Sequence, residues 1–156
     1  MPSVSAGTPA LKDHSRLRLF LLNCILAGTN TFHPGLGVRS RHLILVVEDE
    51  LLLSLDISDA LKDENYDVIA VANADEAIKA LETCDDIRTI FTDIDLPGSM
   101  DGLKLVAAVR DRWPPVHIIV TTGMRALHRD EMPANSMFIA KPYRSAEVLD
   151  AVRSFE

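Results

Sequence analysis

The chain has little that would suit it to an oxidising compartment, a zinc site or a membrane. Its two cysteines, Cys24 and Cys84, form no C-x-x-C pair and no framework of close spacings, which leaves a reduced, cytoplasmic setting as the default. The five histidines are scattered, and no zinc-ligand spacing joins them. The stretch from Leu17 to Ala27, broken by Arg18 and Asn23, is too short to span a bilayer. Arginines ahead of it resemble the start of a signal peptide, but no small-x-small cleavage site follows. Basic charge is in deficit, with 16 Lys and Arg against 23 Asp and Glu and a net charge of −7, which argues against direct nucleic-acid binding. Internal repeats are absent.

What is present is enough for one globular domain with some additional sequence: 156 residues, 47% of them hydrophobic and 25% charged. Residues 1–41 differ in kind from the rest. Lys12, Arg16, Arg18 and Arg39 face only Asp13 over residues 1–40, a net +3 that leaves −10 for the remainder. The opening Pro2-Ser3-Val4-Ser5-Ala6-Gly7-Thr8-Pro9 reads as disordered coil, and a second turn-rich stretch carries Pro34, Gly35 and Gly37. Residues 1–41 therefore read as an N-terminal extension. Its apolar segment is either a helix that packs on the domain or on a partner, or the product of a start codon placed too far upstream. The domain proper is expected over residues 42–156.

From His42 onward, strand and helix signals alternate. Leu43 to Val47 is a continuous apolar strand, and the segment from Leu51 to about Asn65 follows as a helix with Leu53, Ile57, Ala60 and Leu61 on one face. A second strand is expected over Val68 to Ala72. Asn73 with Glu76 three residues on has the form of a capping box, opening a helix whose stripe is Ala74, Ala77, Ile78 and Leu81. A third strand leads to Asp93. The loop from Leu96 to Gly102 precedes a third helix with Leu103, Val106 and Val109 at helical spacing, ended by Trp113-Pro114-Pro115. A fourth strand ends at Thr121, and a fifth at Ala140. The segment between them, Arg125 to Met132, is short and polar and runs into Pro133, so a fourth helix is expected to be weak or missing. The last helix shows Val148, Leu149, Val152 and Phe155 after a cap at Ser145. Five strands separated by helices imply a parallel sheet covered on both faces.

The polar residues at the ends of those strands carry the chemistry. Glu48 and Asp49 close the first strand, Asp93 the third, Thr121 the fourth and Lys141-Pro142 the fifth, with Pro97 four residues past Asp93. Singly these are weak signals, because acidic pairs, a Thr or a Lys-Pro at strand ends are commonly solvated or structural. Together, on the edge of an open parallel sheet where ligands bind, residues 43–156 resemble a response-regulator receiver domain, the phosphorylation-switched module of two-component signalling. The resemblance implies a flavodoxin-like, doubly wound α/β fold with strand order 2-1-3-4-5. It further implies Asp93 as phosphoacceptor, with Mg²⁺ held by Asp49, Asp93 and the backbone carbonyl of Asp95, and by Glu48 acting mainly through water. Thr121 and Lys141 would hold phosphoryl oxygens, Pro142 would follow a cis bond, and Phe138 would be the aromatic that moves with Thr121 on phosphorylation. The phosphoryl source would be a sensor histidine kinase or a histidine phosphotransfer protein.

Residue chemistry agrees with that set. Converging carboxylates repel one another, and a hard divalent cation removes the cost; phosphoryl transfer to a carboxylate needs a nucleophile, charge neutralisation and fixed donors for the oxygens. Such a chain is no turnover enzyme: it catalyses only its own phosphorylation and dephosphorylation. With no output module expected after the last helix, it reads as a single-domain regulator acting by protein contact, or as a relay or phosphate sink. One alternative is a haloacid-dehalogenase-like phosphatase using Asp93 and Asp95, but there the motif normally ends the first strand and a later acidic pair is required. A phosphate-independent binding module is the other. Three departures from the family pattern stand out: Gly98-Ser99 lengthen the loop after Asp93 by one residue, Glu48 replaces the commoner aspartate, and the fourth helix is thin.

Overall fold

The computed structural model describes residues 42–123 and 136–156. The N-terminal extension and the expected weak fourth helix, Arg125 to Met132, lie outside the described residues. The described elements are β1 (Leu43–Val47), α1 (Leu51–Asp63), β2 (Asp67–Val71), α2 (Ala74–Thr83), β3 (Ile87–Asp93), α3 (Gly102–Arg112), β4 (His117–Thr122), β5 (Ser136–Ala140) and α4 (Ser145–Arg153). All strand pairs are parallel, and the sheet runs β2-β1-β3-β4-β5, the doubly wound order implied by the resemblance.

Strand pleat divides the core in two. Every side chain of β1 is buried, as a central strand covered on both faces requires. Leu43, Leu45 and Val47 pack with Ala77 and Leu81 of α2 and Leu105 and Val109 of α3. Ile44 and Val46 pack on the other face with Ile57 and Leu61 of α1 and Val148 and Val152 of α4. The order reverses at β1 and β3, so their C-terminal ends open a crevice between helices on opposite faces.

Local chemistry sets the element boundaries, with three corrections to the expected ones. β2 begins one residue earlier, at Asp67, and ends at Val71, because Asp67 pairs in register with Leu43. The buried stripe of α1 is Ser54, Ile57, Ser58 and Leu61, while Leu53 and Ala60 are half-buried; the stripe is rotated so that Leu51, Leu52 and Leu55 face outward. That helix ends at Asp63, and Asn65 takes a left-handed turn (φ 67°) that asparagine tolerates. Ser145 is the first helical residue of α4 and not its cap: Arg144 occupies that place, its N–H donating to Glu147, and the Ser145 hydroxyl donates to Asp56 of α1. At α2 the Asn73 cap forms as expected, accepting from the Glu76 N–H at 2.9 Å. The Glu76 carboxylate reaches one residue further back, to the Ala72 N–H.

The lengthened loop after β3 leaves the start of α3 well built. Gly98 takes a φ of +115°, open to glycine, and the Ser99 hydroxyl donates to the carboxylate of Asp75 at the head of α2. Asp101 caps α3 by accepting from the Lys104 N–H at 2.8 Å. The Gly102 N–H donates to the Ile94 carbonyl, and a Cβ at Gly102 would overlap the Asp93 carbonyl oxygen and stand 2.6 Å from Ile94 Cα. Trp113 follows the last residue of α3, partly buried against the core with the Arg112 guanidinium over its ring.

Candidate functional site

Four strand ends deliver polar groups to one edge. Glu48 follows β1 and is buried, Asp49 beside it is exposed, and Asp93 is the buried last residue of β3. One carboxylate oxygen from each of Glu48, Asp49 and Asp93 lies within 4.8 Å of the others. β3 and β4 pair Asp93 with Thr121, so their side chains leave the sheet side by side. Lys141 follows β5, where its N–H donates to the Thr122 carbonyl, and the Lys141–Pro142 bond is cis. Its Nζ donates to Asp93 Oδ2 at 2.5 Å and to Glu48 Oε2 at 3.4 Å.

Backbone amides complete the cluster. Glu48 Oε1 accepts from the Glu50 N–H and Asp93 Oδ1 from the Asp95 N–H. Asp95 is exposed, and its carboxylate accepts from the Thr122 hydroxyl at 3.3 Å. Burial pushes the Glu48 carboxyl up from its ordinary pKa, against the opposing pull of the Glu50 amide and the Lys141 charge. For Lys141, burial pulls the ammonium down, but the Asp93 hydrogen bond and the Glu48 and Asp93 charges outweigh it, and the net direction is up. The cation therefore stays charged where it touches Asp93.

Two buried hydroxyls at this edge have no completed hydrogen bond: Thr121 Oγ1 and Tyr143 OH. A buried polar group left so costs about 1–3 kcal/mol. Tyr143 packs edge-on against Phe91 of β3, and burial with the Glu48 and Asp93 charges pushes its phenol well above the ordinary tyrosine range. Sequence reasoning passed over Tyr143. Its signal was position alone, two residues past Lys141, with nothing to mark its hydroxyl as turned inward. Phe138, expected to move with Thr121, sits on β5 opposite Val120 and is 39% exposed; Ile139 is the residue beside Thr121. A groove of about 460 Å³ opens beside the cluster, lined by Asp49, Asn73, Asp75, Pro97 and Gly98 among others.

A family model described as the response regulator receiver domain matches residues 44–153. The chain belongs to the response-regulator receiver family. Response regulator protein FleR of Pseudomonas aeruginosa is 29% identical over 112 residues, which are 70% of this chain and 23% of FleR. Chemotaxis protein CheY of Listeria monocytogenes is 27% identical over 114 residues, 70% of this chain and 93% of that protein. Among solved structures, a receiver protein from Sinorhizobium medicae superposes with a TM-score of 0.69 at 29% identity, covering 74% of this chain and 94% of its own. The receiver fold is thus matched by sequence and by structure, with relatives that include proteins far longer than the matched region. Receiver domains are signalling modules that take phosphoryl groups from histidine kinases or phosphotransfer proteins, and generally bind Mg²⁺ at an acidic pocket. Among the described residues no helix is long and apolar enough to cross a membrane.

Proposed function

We propose that this receiver domain, over residues 42–156, accepts a phosphoryl group on Asp93 from a sensor histidine kinase or histidine phosphotransfer protein. It then signals by protein contact, or serves as a relay or sink. The observation that carries this reading is the convergence of Glu48, Asp49 and Asp93 with Lys141 seated on Asp93. In the transfer, an Asp93 carboxylate oxygen attacks the phosphorus, the donor's bond to phosphorus breaks, and an acyl phosphate remains on Asp93.

The residues present fit a magnesium site. Oxygen donors alone, from Glu48, Asp49 and Asp93 with the Asp95 carbonyl proposed alongside, suit a hard cation. When bound, Mg²⁺ would neutralise the oxygens of the phosphoryl group and the carboxylates around it. Lys141, already charged and half-buried against Asp93, would shift to a phosphoryl oxygen, and Thr121 would donate its hydroxyl to another. In this reading the domain catalyses only its own phosphorylation and dephosphorylation. Family membership and the late position of Asp93-Ile94-Asp95, on the third strand, weigh against the dehalogenase-like phosphatase reading. A net charge of −7 favours protein partners over nucleic acid, and such partners imply the cytoplasm.

Labelling tests the assignment. Incubated with Mg²⁺ and acetyl phosphate, the purified protein is expected to gain one acid-stable, hydroxylamine-labile phosphate, located on Asp93 by mass spectrometry. Asp93→Ala and EDTA-treated protein are expected to gain none; equal labelling of Asp93→Ala would remove Asp93 as acceptor.

A further inference from the structure

Of the two orphaned hydroxyls at the site edge, the phosphoacceptor reading uses that of Thr121 and leaves that of Tyr143 without a role. Thr121 alternates with Val120 along β4, so it leaves the sheet on the side of Ile119, within the core that Phe91 and Tyr143 share. The Thr121 hydroxyl is among the groups that bear on the Tyr143 phenol, yet neither hydroxyl has a hydrogen-bond partner. Both belong to the same face of the sheet, where Tyr143 packs against Phe91. Asp93 is the register partner of Thr121 on the neighbouring strand, so Tyr143, Thr121 and Asp93 follow one another across the end of the sheet.

A threonine hydroxyl has one proton and two lone pairs. If it gives that proton to a phosphoryl oxygen on Asp93, its own oxygen becomes a better acceptor, and a buried donor must be at hand to use it. Tyr143 is such a donor, since a phenol with an ordinary pKa of about 10 keeps its proton at neutral pH. We propose that Tyr143 is a positioning residue for the switch, its phenol donating to Thr121 Oγ1 so that the Thr121 proton points at the phosphoryl group on Asp93. The relay Tyr143 to Thr121 to phosphoryl rests on Asp93 being the acceptor. It makes the phenol hydroxyl, and not only the ring, part of how the domain holds its active state.

A double-mutant cycle separates this from packing. Affinity for beryllofluoride, a phosphoryl mimic, is measured with Mg²⁺ in the wild type, Tyr143→Phe, Thr121→Val and the pair, all near-isosteric changes. Tyr143→Phe is expected to weaken binding about tenfold in the wild-type background, the scale of one lost hydrogen bond. In the Thr121→Val background the same change is expected to cost less than about twofold, because no hydroxyl is left to orient. An equal loss in both backgrounds would assign Tyr143 to packing and overturn the relay, as would no loss in the wild type. Absence of any wild-type binding would instead strike the phosphoacceptor reading itself, and the relay with it.

Discussion

His42, at the opposite end of the sheet from the carboxylates, shows how a single side chain can be read against pH. Its ring nitrogen Nε2 lies 2.8 Å from Thr89 Oγ1, and its ring meets Tyr66 edge-on. Burial lowers its pKa from the ordinary 6.5, with Glu156 pulling the other way and His117 and Arg88 adding to the depression. A histidine depressed in the folded state binds its proton more readily when unfolded. The stability it contributes is therefore present above pH 6.5 and is lost as pH falls from there through its folded value. Urea midpoints measured between about pH 7.5 and 5 are expected to fall more steeply in the wild type than in His42→Gln. Parallel curves would mean that His42 is not a source of acid sensitivity. Residues like this one were hard to foresee: five scattered histidines looked featureless in sequence, because strand register and not spacing brings His42 to Thr89.

Among the elements, α3 and the loop before it decide where Asp93 stands. The loop carries one residue more than the commonest family form, and the extra length is absorbed by Gly98 and by Ser99 bonding to Asp75, so Asp101 still caps the helix. Gly102 then lies against the backbone of Asp93 and Ile94 with no room for a Cβ. Gly102→Ala is expected to destabilise the domain by roughly 2–3 kcal/mol or more and to slow phosphorylation, since relief of the overlap must move backbone and not a side chain. Chemical denaturation, read beside labelling, would show it; a stability within about 0.5 kcal/mol of wild type would contradict this contact. Strands were the most legible elements, because continuous apolar runs such as Leu43–Val47 belong to buried parallel sheets. Helix faces were less so. The expected stripe of α1 took in Leu53 and Ala60, whereas the core accepts Ser54 and Ser58 beside Ile57, and α4 begins at a Ser145 that serves Asp56 instead of the cap. At the site, strand-end polarity picked out Glu48, Asp49, Asp93, Thr121 and Lys141, and the fold places them on one edge. Tyr143 escaped notice because an inward hydroxyl on a loop residue has no periodic signature.

At the scale of the whole molecule, both apolar clusters of the described residues are built from elements between β1 and the last turn after α4. Removal of residues 1–40 is expected to leave unfolding free energy and Asp93 labelling unchanged, and a loss above roughly 2 kcal/mol, the scale of one buried large apolar side chain, would show that the Leu17 to Leu26 stretch packs into the domain. Switching is the other property of the molecule as a whole. A charge-assisted hydrogen bond is worth about 1.5–3 kcal/mol, so new phosphoryl contacts from Thr121 and Lys141 supply roughly 3–6 kcal/mol together. Inverting a 1:99 equilibrium takes about 5.5 kcal/mol, which both contacts reach and neither reaches alone. The most direct test is the set of amide chemical shifts along β4 and β5 with and without Mg²⁺ and beryllofluoride, in the wild type, Thr121→Ala, Lys141→Ala and Phe138→Ala. The wild type is expected to shift as one two-state transition spreading from Asp93 through Thr121 to β5. The Thr121 and Lys141 variants are expected to shift only near Asp93, and Phe138→Ala to keep the transition while altering partner affinity. Full wild-type shifts in the Thr121→Ala and Lys141→Ala proteins would contradict the account.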